Sequence, residues 1–197
     1  MKYRCLIADP PWEFSQKWKR TKEGQVARGA GEHYDLLTIE DLIEMGPLVR
    51  DVAEDASILA LWCPSSLPDQ GLRVMAAWGF VQKQIWTWMK MGPGGRAFGL
   101  GKLARGCTEH AFVGVRGGIY EHLKDRSQRT GFMAPALAHS QKPVNVHQML
   151  DTMFPEGGRL EMFARRAYPS WTTIGNEDPS TPGEDIRDAL KRLKEKP

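Results

Sequence analysis

Leu6-Ile7-Ala8-Asp9-Pro10-Pro11-Trp12 joins an unbroken apolar run to an acid, two prolines and a tryptophan. An apolar run without period-2 alternation reads as a strand buried on both faces. Asp9 then falls where the strand gives way to its loop, the place where open α/β sheets put their ligands. Similar short runs recur at residues 57–62, 85–89, 111–115, 160–164 and 171–174. Helical patterns lie between them. Thr38-Ile39-Glu40-Asp41 reads as a capping box ahead of Leu42, Ile43 and Met45. Leu67, Val74, Met75 and Trp78 stand at helical spacing before Gly79, and Pro143 suits the first turn of a helix with Val146, Met149, Leu150 and Met153 on one face. Strand alternating with helix predicts an α/β fold with a mostly parallel sheet and helices on both faces.

The chain has 197 residues, enough for one domain and a short appendage. Three cysteines (Cys5, Cys63, Cys107) with no C-x-x-C give neither a disulfide framework nor a zinc knuckle, and the five histidines show no ligand spacing, so no metal is expected. No signal peptide and no membrane span are read, which predicts a cytoplasmic protein with no membrane partner. Residues 179–183 read as a linker and 184–196 as a charged helix with an Ile186/Leu190/Leu193 stripe, docking on the body or on a partner. The predicted division is a catalytic domain over 1–178 and this appendage over 179–197.

Net charge is only +3, but it is unevenly spread. Residues 13–31 hold five Lys/Arg against two acids, residues 90–130 eight against three, and residues 35–55 seven acids against one Arg. Basic stretches with seven tryptophans in the chain suit a polyanion that presents bases. Residues 13–33 and 91–109 read as long functional loops. In the first, Lys17, Lys19, Arg20 and Lys22 are expected to meet phosphates. In the second, Arg96, Lys102 and Arg105 share that role.

The tetrapeptide Asp9-Pro10-Pro11-Trp12 suits one reaction. An exocyclic amine on an aromatic base is a poor nucleophile because its lone pair is delocalised into the ring. A carboxylate and a proline carbonyl accepting both N–H hydrogens favour a pyramidal nitrogen whose lone pair faces an electrophilic methyl. Two prolines aim that carbonyl in advance, and Trp12 offers a surface on which a flipped base can stack. Lys142, in Ser140-Gln141-Lys142-Pro143, makes electrostatic sense near a helix N-terminus if an anion such as the carboxylate of S-adenosylmethionine docks there. Asn176 and Glu177 could hold ribose hydroxyls, Arg165 could bridge to them, and Phe163 could pack on an adenine.

These motifs, in order from about Ile7 to Glu177, resemble the MTA-70-like family of adenine methyltransferases. Its other landmarks are Tyr34, residues 59–62, Trp88-Met89-Lys90, Glu109-His110, residues 113–117 and residues 161–165. The resemblance implies a Rossmann-like methyltransferase fold with permuted motif order, the catalytic motif coming first. It implies S-adenosyl-L-methionine as cofactor, held by Asp9, Lys142, Arg165, Asn176 and Glu177. Pro10, Pro11, Trp12, Tyr34, Trp62, Trp88, Lys90 and Glu109 would form the acceptor pocket. The chain departs from the family's large eukaryotic members in having eight residues before Asp9, so the contact to the cofactor's adenine falls to Cys5, Leu6 or the region after Pro135. It departs again at Arg166, Ala167 and Tyr168, where those members place polar ribose contacts. A short domain with no RNA-binding module is similar to the bacterial and phage-type members, which implies adenine in DNA as acceptor, with RNA the alternative. A non-catalytic nucleic-acid-binding subunit, a cytosine or amide acceptor, and a homodimer stay open.

Overall fold

The structure is a computed structural model that describes residues 2–13, 36–97, 99, 103–136 and 141–195, the Arg96 side chain excepted. In chain order the elements are β1 (Tyr3–Ala8), α1 (Ile39–Glu44), α2 (Gly46–Val52), β2 (Ala53–Cys63), α3 (Pro68–Ala77) and β3 (Val81–Gly92). There follow β4 (Gly95–Arg96), β5 (Thr108–Arg116), a 3-10 turn at Ile119–His122, β6 (Gly131–Pro135) and α4 (Asn145–Met153). The last are β7 (Arg159–Met162), β8 (Thr172–Ile174) and α5 (Ile186–Glu195).

One sheet runs β4-β3-β5-β2-β1-β7-β8, with β6 added to β3. The pairings β1–β2, β1–β7, β7–β8 and β3–β6 are parallel, while β2–β5, β3–β5 and β3–β4 are antiparallel. The expected α/β fold with a mostly parallel sheet therefore forms, and β5 is its principal reversal. β1 shows why its sequence does not alternate. Leu6 and Ala8 enter the core on one face, and Cys5 and Ile7 enter a second core on the other.

Helices cover both faces. α1, α2, α3 and α5 contribute Leu42, Val49, Val74 and Leu190 to the first core, and α4 contributes Val146 and Leu150 to the second. The Thr38 capping box is present: its hydroxyl accepts from Asp41 N at 3.1 Å, and Asp41 Oδ2 accepts from Thr38 N at 3.0 Å. α5 lies on α2 and β8, with Ile186, Ala189, Leu190 and Leu193 all buried, so its stripe docks on the body. Arg187 reaches Asp41 at 2.8 Å and Lys194 reaches Asp51 at 2.9 Å, fastening α5 to α1 and α2.

One stretch departs from the sequence expectation, and two elements are added to it. Residues 91–109, read as a loop, begin with the end of β3 and a hairpin into β4, because Pro93-Gly94 turns the chain back on itself. α2 begins at Gly46-Pro47, since proline is accepted at the first helical positions. β6 is a short strand ending at Pro135. The loop over residues 13–33 lies outside the described residues apart from Glu13. No described helix is long and apolar enough to cross a membrane.

Candidate active site

β1, β2, β3, β6, β7 and β8 all point their carboxyl ends the same way, and the antiparallel β5 begins at that end. The sheet thus delivers Asp9, Trp62, Lys90, Glu109 and Arg165 to one rim from five separate strand ends. Asp9 N donates to Met162 O of β7 at 3.4 Å. Beyond it the two prolines hold a tight turn in which Trp12 N donates to Pro10 O at 2.9 Å. Leu37 N donates to Pro11 O at 2.9 Å, tying the turn to the approach of α1.

Two cavities open on this rim. The first, of about 550 Å³, is lined by Asp9, Pro10, Pro11, Trp12, Trp62, Lys90, Glu109, Lys142 and Arg165, among others. The second, of about 240 Å³, is lined by Phe163, Arg165, Asn176 and Glu177, with Asp9 and Pro11 again in the wall. Asp9, Pro11 and Arg165 are common to both. Phe163, Asn176 and Glu177 of the expected cofactor set line the second space, whereas Lys142, expected with them, lines the first beside Trp62, Lys90 and Glu109; the two spaces meet at Asp9, Pro11 and Arg165.

A line of alternating charges crosses the first cavity. Lys142 Nζ stands 2.8 Å from Asp9 Oδ2 and 3.3 Å from Glu109 Oε2, and Glu109 Oε1 is paired in turn with Lys90. Burial lifts the Asp9 carboxyl above its usual range, against the pull of Lys142 and Arg165. Burial also opposes the charge on Lys142, but Asp9 and Glu109 outweigh it and hold the ammonium above the usual lysine range. Glu109 is likewise desolvated, yet Lys142 and Lys90 hold it below the ordinary carboxylate range. The anions that meet the Lys142 ammonium here are thus two side chains of the protein itself, and α4 begins three residues later.

The tryptophans brace this line. Lys142 Nζ lies 5.5 Å from the centre of the Trp62 ring and Lys90 Nζ 5.3 Å from that of Trp88. Trp62 and Trp88 meet edge to face at 6.5 Å. Trp12 is nearly enclosed, its Nε1 donating to Trp62 O at 2.9 Å, so only an edge of it faces the cavity. Trp88 sits behind Trp62 and lines neither cavity, its Nε1 donating to Ala134 O at 3.0 Å. Tyr34 lies outside the described residues, as do Lys17, Lys19, Arg20, Lys22 and Lys102.

The second cavity depends on a strained corner. Phe163 follows β7 with φ 63°, a left-handed conformation that a bulky residue adopts only when its surroundings enforce it. Ala164 N donates to Ile174 O at 3.0 Å, and a Cβ on Gly175 would stand 2.9 Å from Ala164 N and Phe163 Cα. Glycine at 175 therefore lets the ends of β7 and β8 close together, turning Phe163 and Arg165 into the same wall as Asn176 and Glu177. Arg165 Nε lies 3.8 Å from Glu177 Oε1. Cys5 and Leu6 are fully buried in the sheet and line neither cavity, which takes them out of the adenine contact. Burial pushes the Cys5 thiol up to about 12, so it is an inert core residue. Residues 137–140 of the remaining alternative, the region after Pro135, are outside the described residues.

Sequence reading missed several contributors. Arg166 Nη2 donates to Lys142 O at 2.9 Å and so positions the lysine, a role for which the sequence holds no local signal. Gly183, Asp185 and Ile186, from the stretch read as an appendage, form part of the second cavity's wall. Ser65, Ser66 and His110 join the first. Among the described residues no cluster of three His, Cys, Asp or Glu side chains could hold a metal.

Residues 3–177 match the MT-A70 family model. The chain is 26% identical over 190 residues to the type II methyltransferase M.MunI of Mycoplasma sp., across 90% of this chain and 78% of that protein. It is 24% identical over 181 residues to the N(6)-adenosine-methyltransferase catalytic subunit METTL3 of Homo sapiens, across 89% of this chain but 28% of METTL3. Identity to the N6-methyladenosine RNA methyltransferase MTA1 of Cryphonectria parasitica is 26%, across 89% of this chain and 51% of that relative.

Proposed function

The chain belongs to the MT-A70 family, and from that premise we propose that it transfers a methyl group to the 6-amino group of adenine in a nucleic acid, DNA in preference to RNA. The observation that carries the reading is the place of Asp9, in the wall shared by two cavities of different chemistry. One cavity has the tryptophan, proline and paired-charge lining that suits a base, and the other has the hydroxyl-binding and aromatic groups that suit a nucleoside.

The second cavity's donor set fits S-adenosylmethionine. Asn176 and Glu177 offer an amide and a carboxylate to ribose hydroxyls, Phe163 offers a ring to adenine, and Arg165 a cation to the carboxylate. Bound there, the cofactor supplies an electrophilic methyl on a good leaving group. The chain's own residues prepare the amine. Asp9, paired with the Lys142 ammonium, accepts one N–H in its ionised form, and strongly because little water competes for it. The Pro10 carbonyl already accepts from Trp12 N and keeps a second lone pair for the other N–H. Both acceptors are set before the base arrives, so little reorganisation remains at the moment of transfer. The amine becomes acidic once methylated, and its proton can leave without a strong general base.

DNA is favoured because the match spans 78% of the type II methyltransferase M.MunI, against 28% of METTL3. The names of METTL3 and MTA1 keep RNA as the second reading. The test incubates the purified chain with S-adenosylmethionine and matched DNA or RNA, then measures methylated nucleosides by mass spectrometry. N6-methyladenine from DNA is expected. Its absence from both polymers sinks the reading, and product from RNA alone reverses the choice of acceptor.

A further inference from the structure

Most of the described cations are spoken for. Arg4, Arg73, Lys90, Arg116, Lys142, Arg159, Arg165, Arg187, Lys191, Arg192 and Lys194 pair with carboxylates, and Arg50 and Arg166 hold backbone carbonyls. Among the described residues five lysines and arginines make no ion pair or hydrogen bond through their side chains: Lys2, Lys83, Lys124, Arg126 and Arg129. Three of these five fall within six consecutive residues, and all three are exposed.

The segment that carries them is extended and fixed at both ends. Lys124 N donates to Met153 O at the end of α4 (2.9 Å), and Thr130 O accepts from Thr87 N of β3 (2.7 Å). Asp125, the only acid within it, is taken up internally, accepting from Ser127 N at 3.1 Å and Gln128 Nε2 at 2.7 Å. The segment leads directly into β6, which runs parallel to β3 toward the rim of the active site. At about 3.3 Å per residue, the five residues of β6 set the basic strap roughly 17 Å from that rim. Duplex DNA advances about 3.4 Å per base pair, so that distance is about five base pairs. Lys83, also unpaired, lies on the part of β3 that precedes its pairing with β6.

We propose that Lys124, Arg126 and Arg129 form a second phosphate-contact site, holding duplex DNA about five base pairs from the adenine under attack. The site rests on the methyltransferase reading but is separate from the two cavities, neither of which it lines. Its cations are exposed and make no side-chain ion pair or hydrogen bond among the described residues, which leaves them available to the phosphates of an extended ligand. A short oligonucleotide that fills the first cavity does not reach them.

The experiment compares the wild-type chain with the triple variant Lys124→Gln, Arg126→Gln, Arg129→Gln. A control, Lys2→Gln, Lys191→Gln, Lys194→Gln, removes the same charge elsewhere. Binding of a duplex of about 20 base pairs is measured against salt, and methylation rates are taken on that duplex and on an oligonucleotide of about four nucleotides. Each lost phosphate contact lowers the log–log slope by about 0.9, so the strap variant should lose roughly 2.7 units on the duplex and bind it at least tenfold more weakly near 0.1 M salt. The control should keep the wild-type slope, both variants should methylate the short oligonucleotide at the wild-type rate, and the strap variant should melt at the wild-type temperature. An unchanged duplex slope in the strap variant overturns the proposal, as does an equal loss in the control, which would reduce the effect to net charge. Strap-dependent binding of phosphatidylserine vesicles but not of duplex overturns it too. A wild-type chain that methylates neither substrate removes the underlying reading and the strap together, an outcome distinct from failure of the strap alone.

Discussion

At Asp9 a single carboxylate faces two tasks, one in each cavity, and its removal should be felt in the chemical step. Asp9→Ala should lower turnover by about 10²–10³, the usual loss for one preorganised electrostatic contact, while the fold persists because Lys142 keeps Glu109 as a partner. A purified variant retaining more than about a tenth of wild-type turnover would remove Asp9 from the reaction. The state of that carboxylate depends on its neighbour. Asp9 works as an anion, so activity holds above its pKa and falls as the pH drops through it. Burial already raises that pKa, and taking away the adjacent ammonium raises it further. Lys142→Met should therefore move the acid limb of the kcat/KM profile to higher pH, whereas Lys142→Arg should leave it close to the wild-type position. An acid limb that stays put in Lys142→Met separates the lysine from the charge of Asp9. The contrast between the two residues also shows what a sequence can and cannot disclose. Asp9, Pro10, Pro11 and Trp12 are legible because four adjacent residues act together. The pairing of Lys142 with Asp9 spans 133 positions and with Glu109 depends on the register of β5, so no local pattern signals either. Arg166 is less legible still, since its contact is to a backbone carbonyl.

Among the elements, each of the six apolar runs contributes to a strand, and those of β1, β2 and β5 are the most legible because they are buried on both faces. β6 escaped notice because Gly-Phe-Met-Ala-Pro is short and half exposed, and its pairing with β3 is nonlocal. α5 was legible as a helix, but its destination was not, because a thin stripe fits the body or a partner equally well. Leu190 is fully buried in the same core as β1 and α2, so Leu190→Ala should cost about 2–5 kcal/mol in chemical denaturation. A loss within about 0.5 kcal/mol would mean that α5 packs on the body only weakly. The turn after β5 is a sharper test. Gly117 has φ +57°, and a Cβ there would lie 2.2 Å from the backbone oxygen of Asp55. Gly117→Ala joins a left-handed penalty of about 1–2 kcal/mol to overpacking of about 1–3 kcal/mol, against backbone that cannot rotate away. Equilibrium unfolding should show a loss of at least about 2 kcal/mol, and a neutral variant would show that the turn relaxes.

Over the whole molecule, alternation of strand and helix announced the fold class, and the order of motifs announced the site, but the antiparallel β5 and the split into two cavities required three dimensions. β5 matters because it starts where its neighbours end, and so brings Glu109 to the rim from the opposite chain direction. That reversal closes the line Asp9, Lys142, Glu109, Lys90, two anions and two cations whose formal charges sum to zero. Such a quartet has a short-range field and almost no monopole, so a neutral base can enter without any exchange of mobile ions. Ionic strength should then act on capture of the polymer and not on the bond-making step. In a salt series with long DNA, KM should climb steeply while kcat stays within about twofold, because small pairs at contact distance are screened far less than distant exposed charges. A kcat that fell in step with kcat/KM would place a phosphate contact inside the catalytic wall. With the quartet self-neutralised, the enzyme's speed is insulated from the ionic medium, and its grip on the polymer can be retuned by surface charge alone.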